Sequence, residues 1–144
     1  MTTSRILGVV LALGLLVGAT ACSNAKPIAK ADYIKKADAI CKADAKVITA
    51  RSKAITSATT TPTKAQINAF YTFASTRSLG EITAVRALGY PKGDKAELDK
   101  AFAAFEKVFR ELQAHPEKAS TISSTSTKGA NKTMKDYGFK TCGV

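Results

Sequence analysis

Three cysteines, one histidine and a scatter of carboxylates are the groups in this 144-residue chain that could do chemistry. Cys22 has the most specific surroundings. Arg5 and the apolar run Ile6–Gly18 precede it, followed by the small residues Ala19-Thr20-Ala21. A short positive start, an apolar stretch of this length and small residues at its end make a secretory signal. A cysteine directly after them is the acceptor pattern of bacterial lipoproteins, in which the Cys22 thiol takes lipid and the residue becomes the new N-terminus. Two other readings stay open. Ala19 stands where lipoproteins typically carry Leu, and Ala19-Thr20-Ala21 also suits ordinary signal peptidase, which would release a soluble chain. An uncleaved anchor would have only 16 apolar residues to Ala21, against the roughly 20 that a spanning helix needs.

Removing residues 1–21 leaves 123, enough for one domain, with Cys41 and Cys142 beyond Cys22. In an exported chain an even pair reads as a disulfide. With Cys22 lipidated, Cys41–Cys142 is the one possible internal bridge. Its loop of about 100 residues is worth roughly 4–5 kcal/mol in the chain-entropy model. Two unpaired thiols are the alternative, disfavoured outside the cytoplasm. His115 stands just before Pro116, and no motif places a triad partner near it. Compensation of a helix dipole explains it more simply. With one histidine and committed cysteines no metal set can be assembled, and no cofactor is expected. Asp94, Glu97 and Asp99 fit capping better than acid–base work. Asn131-Lys132-Thr133 matches a glycosylation sequon, a weak signal in a bacterial chain. The chain reads as non-enzymatic.

Four helices are expected to position these groups. Ser23–Lys30, with Pro27, reads as a tether. A first helix is expected from Asp32 as N-cap, with Ile34, Cys41, Ile48 and Ile55 on one face beside Ala37, Ile40 and Ala45. The Ser/Thr run Ser57–Thr63 ends it. Thr63 and Gln66 then form a capping box for a second helix, which carries Ile67, Phe70, Tyr71, Ala74, Ser78, Ile82, Val85 and Leu88 inward. Phe73 lies at the edge of that stripe. Gly89 and Pro91 stop the helix, and Tyr90 can fold onto Val85. A third helix has its own box, Asp94 with Glu97, then Leu98, Phe102, Phe105, Val108, Phe109 and Leu112, ending before Pro116. A fourth is expected over roughly 118–137, broken near Thr127–Gly129, with Gly138 as its left-handed cap. Ser57–Thr63 and Ser120–Thr127 read as solvated loops, with O-glycosylation as the alternative. The arrangement is an all-α, up-down-up-down four-helix bundle over 32–144, with one disulfide and a tether at 22–31.

Tyr33-Ile34, Ala37-Asp38-Ala39-Ile40-Cys41 and the C-terminal Tyr137-Gly138-Phe139…Cys142-Gly143 resemble a group of small actinobacterial lipoproteins. That group shares "ADAIC" near the mature N-terminus and "YG…C" near the end. The resemblance covers the mature domain and implies an extracytoplasmic helical bundle with one disulfide. It carries no established activity and no functional residues.

Charge is the remaining signal. Residues 26–53 hold eight Lys/Arg against three Asp, and 118–144 hold five Lys against one Asp. The middle, 64–117, is nearly balanced at eight against seven. The excess therefore sits on the first and last helices. Lys35, Lys36, Lys42, Lys46, Lys132, Lys135 and Lys140 are the candidate polyanion-binding residues. Expected partners are the membrane through the lipid, then anionic lipid, wall polymer or an envelope protein at its outer face. The alternative location is secreted. Nucleic acid is disfavoured by compartment, and a monomer is expected. An alternative reading is a carrier of a small apolar ligand between the second and third helices, lined by Phe70, Phe102, Phe105 and Phe109.

Overall fold

Helix α1 (Lys30–Ala58) starts two residues before the expected cap, because the Tyr33 N–H already bonds the Ala29 carbonyl at 2.9 Å. Asp32 thus lies inside the first turn, where a carboxylate suits the positive end of the helix dipole. The computed structural model describes residues 27–58, 61–122 and 126–143, so Cys22 and the signal segment lie outside it. Tyr33, Ala37, Cys41 and Asp44 are the buried residues of α1, at spacings of four, four and three. Ala37 and Cys41 of the expected face lie in this seam, while its isoleucines Ile34, Ile48 and Ile55 flank it and are only half-buried. Tyr33 displaces Ile34 from its centre, and Asp44 interrupts the apolar pattern that would have marked it.

Helix α2 (Lys64–Arg86) begins with the expected capping box. The Gln66 N–H donates to Thr63 Oγ1 at 3.2 Å, and the Thr63 N–H donates to Gln66 Oε1 at 2.8 Å. Its stripe buries Ser75, Ile82 and Val85. Ser75 is tolerated there because its hydroxyl donates back to the Tyr71 carbonyl at 2.8 Å. Gly89, with φ +76°, turns the chain after the helix. Tyr90 packs on Tyr33, ring centroids 6.2 Å apart, and its hydroxyl bonds Asp99.

Helix α3 (Lys95–Ala114) buries Leu98, Ala101, Phe102, Phe105 and Val108, and ends before Pro116 as its sequence requires. Its expected capping box is absent. Asp94 holds the N-cap position, but its Oδ2 accepts from the Tyr137 hydroxyl at 2.6 Å and makes no cap bond. A hydroxyl from the far end of the chain has taken the cap's oxygen, tying the start of α3 to the end of α4.

The fourth helix is shorter than expected. Helix α4 spans Lys128–Tyr137, and Pro116–Lys118 form a 3-10 turn instead of joining it. Ser/Thr side chains compete for the backbone here: Thr121 Oγ1 donates to the Lys118 carbonyl at 2.8 Å. At the other end Gly138 is left-handed, φ +114°, and the Phe139 N–H closes onto the Met134 carbonyl at 3.1 Å. That is the Schellman closure expected of Gly138.

The four helices alternate in direction, each packed on the next, and no strand occurs among the described residues. Residues 138–143 close the circle along α1, and the Cys41–Cys142 disulfide forms with Cα atoms 5.3 Å apart. Helices α1 and α4 meet chiefly at this end, through that tail, rather than along their lengths. Tyr33, fully buried, contacts Tyr137 and Phe139 edge-on at 6.4 and 6.0 Å. The deep core lies at the disulfide end. Beyond Asp44 on α1, and before Ser75 on α2, the described side chains are half-buried or exposed. Among the described residues no helix is long and apolar enough to cross a membrane.

Candidate functional site: a basic surface around the tail

Asp38 sits one turn before Cys41 on the same face of α1. Its carboxylate accepts three consecutive backbone N–H groups from the tail: Lys140 at 3.0 Å, Thr141 at 2.9 Å and Cys142 at 3.1 Å. Charged acceptors make stronger hydrogen bonds than neutral ones. Together with the disulfide they strap residues 140–142 to the helix.

The strap brings separate lysines together. Lys140 lines an open groove with Asn131, Lys132, Lys135 and Phe139. Its neighbour Thr141 lines a second groove with Lys42, Lys46 and Lys53 of α1. Consecutive strap residues thus divide two basic grooves, and Lys42, Lys46, Lys132, Lys135 and Lys140 share one surface. Lys53 joins them: it continues the Lys42–Lys46 face, at spacings of four and then seven residues and away from the apolar stripe, but was not among the candidate polyanion-binding residues. Lys35 and Lys36 are exposed on α1 but line neither groove. Lys132 is engaged by Asp136, one turn on. Among the described residues, Lys42, Lys46, Lys53, Lys135 and Lys140 have no carboxylate within ion-pair distance. Lys30, next to the tether, lies 3.9 Å over the Tyr137 ring.

His115 is far simpler. It is exposed, with Nδ1 3.3 Å from the Glu117 carboxylate, and makes no other ion pair among the described residues. Among the described residues no group of three or more His, Cys, Asp or Glu could hold a metal.

Between α2 and α3 lies an apolar cavity of about 70 Å3, lined by Ile82, Val85, Phe102, Phe105, Phe109 and the disulfide. Phe70 is not part of it and packs on Tyr71 at 5.6 Å. Phe73 lies outside too, under the Arg51 guanidinium at 5.9 Å. This space is about half of the roughly 150 Å3 that admits benzene in an engineered core.

Two ionic clusters were not read from the sequence. Arg86, at the end of α2, bonds Glu106 at 2.5 Å and approaches Asp99 at 3.4 Å, joining α2 to α3. Burial and its bond to Asp99 push the Tyr90 hydroxyl up to about 12. Asp99 is held below the usual carboxylate range by the hydrogen bonds from Lys95 and Tyr90. On the other side of α2, Arg77 pairs with the buried Asp44 of α1. Glu81, one turn further along, is pushed up to about 7, first by burial and then by the Asp44 charge, with Arg77 opposing. The available signal was Asp44 itself, a carboxylate continuing the Ala37–Cys41 seam opposite an Arg/Glu pair. No family model, curated protein or solved structure matches the chain.

Proposed function

We propose that this protein is a non-catalytic, lipid-anchored module of the cell envelope that binds polyanions through the surface around its strap. The observation that carries this reading is the pair of basic grooves on either side of residues 140–141, with five lysines free of carboxylate partners among the described residues. A tether from Cys22 to Lys30 reaches about 26 Å at ~3.3 Å per residue, and the strap lies ~12–16 Å further along α1 at ~1.5 Å per residue, so it stands within about 40 Å of the bilayer. One acyl chain alone binds a membrane only marginally, and each lysine near an anionic surface adds about 1 kcal/mol. A lipid on Cys22 and a basic surface beside it therefore act as two signals. The lipoprotein-like sequence at both ends of the domain supports the same location. Wall polymers and acidic envelope proteins present similar charge and are the other partners of this class. The carrier reading would need the 70 Å3 cavity to enlarge several-fold, toward the ~300 Å3 of ordinary ligand pockets.

The test is adsorption of the mature chain, with Cys22→Ser, to vesicles with and without anionic lipid. Binding should require the anionic lipid and fall steeply with salt. A variant combining Lys42→Glu, Lys46→Glu, Lys135→Glu and Lys140→Glu should lose it. Weak, salt-insensitive adsorption, or full adsorption by the variant, would refute the reading. Mass spectrometry of the native N-terminus tests the anchor separately: an unmodified Cys22 would remove it.

A further inference from the structure

Glu81 stands between two spaces. Inward is the apolar cavity beside the disulfide, and outward is an open groove between α1 and α2. The groove has a floor of small residues, Ala43, Gly80 and Ala84, and walls made by Asp44, Arg77 and Glu81.

The walls have hydrogen-bonding capacity that the protein does not use. Asp44 is only 7% exposed. Arg77 occupies its Oδ1, while its Oδ2 is sealed from solvent and accepts no hydrogen bond. A buried carboxylate oxygen in that state is costly. The half-buried Glu81 carboxyl likewise has no hydrogen-bonding or ion-pair partner among the described residues. Two carboxylates face one guanidinium, a local negative surplus in a chain of net +11. The floor is unusual as well. Gly80 is a poor residue for mid-helix, yet a Cβ there would meet nothing within 4 Å, so packing inside the protein does not require it. Its effect is to keep the floor of the groove low.

We infer that this groove binds an organic ammonium on a short apolar stem, the ammonium donating to Asp44 Oδ2 and Glu81 while the stem lies on Ala43, Gly80 and Ala84. Two of an ammonium's three donors match Asp44 Oδ2 and the Glu81 carboxylate. The third is left to water, because the Thr76 hydroxyl at the groove edge already accepts from Gln113 Nε2 and donates to the Thr72 carbonyl, both at 2.8 Å. Hard divalent cations take six or more oxygens, and too few ligands gather here. Because Oδ2 is sealed while Arg77 holds Asp44, entry breaks that pair: the Arg77 side chain, 43% exposed, turns to solvent and the ammonium takes its place on the carboxylate. The same chemistry is offered by a free alkylamine and by a lysine side chain of a peptide.

Charged groups facing Glu81 are Asp44 from α1 and Arg77 from its own helix. Helices α3 and α4 and the tail turn rings, a thioether and the disulfide toward it. With Glu81 titrating at about 7, an ammonium that needs its ionised form binds about tenfold more tightly at pH 8 than at pH 6.

The test is NMR titration of the mature chain with n-propylammonium, with Nα-acetyl-lysine methylamide, and with n-propanol as neutral control. Saturable shifts at the amides of Asp44, Gly80, Glu81 and Ala84 should appear with propylammonium and not with propanol. They should strengthen about tenfold from pH 6 to pH 8. Glu81→Gln should weaken binding and erase the pH dependence. Gly80→Leu should block the groove while circular dichroism shows the helices intact. Equal response to the lysine probe assigns a peptide source, and response to propylammonium alone assigns a free amine. Absence of saturable shifts, equal shifts with propanol, or unchanged affinity in Glu81→Gln would overturn the inference. None of these outcomes depends on polyanion binding, which involves the opposite charge and other residues.

Discussion

Asp38 does for the tail what a capping residue does for a helix: one carboxylate gathers backbone donors that would otherwise be left to water. Hydrogen bonds to charged groups contribute about 1.5–3 kcal/mol each, and neighbouring ones share part of that value. Asp38→Ala should therefore cost about 2–4 kcal/mol in urea unfolding, with faster amide exchange at 140–142, and Asp38→Asn should recover part of the loss. Glu81 makes a pH-dependent contribution. The unfolded chain releases its proton near 4.5 and the folded chain near 7, so between those values the folded state holds more protons. Stability is thus fully present below 4.5 and declines as pH rises through 7. Glu81→Gln should remove that slope and stabilise the domain at pH 8 by about 1–2 kcal/mol, discounted for partial exposure. At this scale the cysteine pairing was legible, because an even pair in an exported chain leaves one solution. Asp38 was visible only as a letter in a shared motif. Asp44 left a signal by continuing the Ala37–Cys41 seam, whereas Glu81 was hidden, since its environment comes from another helix and not from its sequence neighbours.

Helix ends were legible where a single segment decides them and illegible where two compete. Thr63 and Gln66 form their box because nothing distant wants their side chains. Asp94 and Glu97 do not, because Tyr137 is brought to Asp94 by the fold. The fourth helix was overread for a related reason: Ile122, Ala130 and Met134 keep rough helical spacing, but the Ser/Thr chain between them favours turns. On α1 the expected face was right at Ala37 and Cys41 and off at its isoleucines, because a tyrosine and an aspartate complete the seam. Gly80 yields a prediction for the element itself. It lies within α2, with open space where a Cβ would stand, so Gly80→Ala should stabilise by up to about 1 kcal/mol and raise the melting temperature.

The whole bundle is packed unevenly, and its charge follows the packing. The disulfide end holds the aromatic core, the strap and the lysine grooves, while the far halves of α1 and α2 are covered on fewer sides. Helix order was legible because short connections force neighbours to run antiparallel. The concentration of the core at one end was not, because a fourth helix of only ten residues leaves the rest of the bundle three-sided. Reducing Cys41–Cys142 should remove about 4–5 kcal/mol of stability, the chain-entropy value for a loop of this size. Urea unfolding with and without a thiol reductant measures it, and Cys41→Ala with Cys142→Ala should match the reduced protein.

The bridge also fixes how the molecule carries tension. A pull between the tether at Lys30 and Gly143 runs through about three turns of α1, one sulfur–sulfur bond and the single residue after Cys142. Helices α2 and α3 lie outside that line of force. A domain moored to a membrane and loaded at its other terminus would stretch by little more than the unwinding of those first turns. The remaining hundred or so residues are held in a closed covalent ring that end-to-end pulling cannot lengthen.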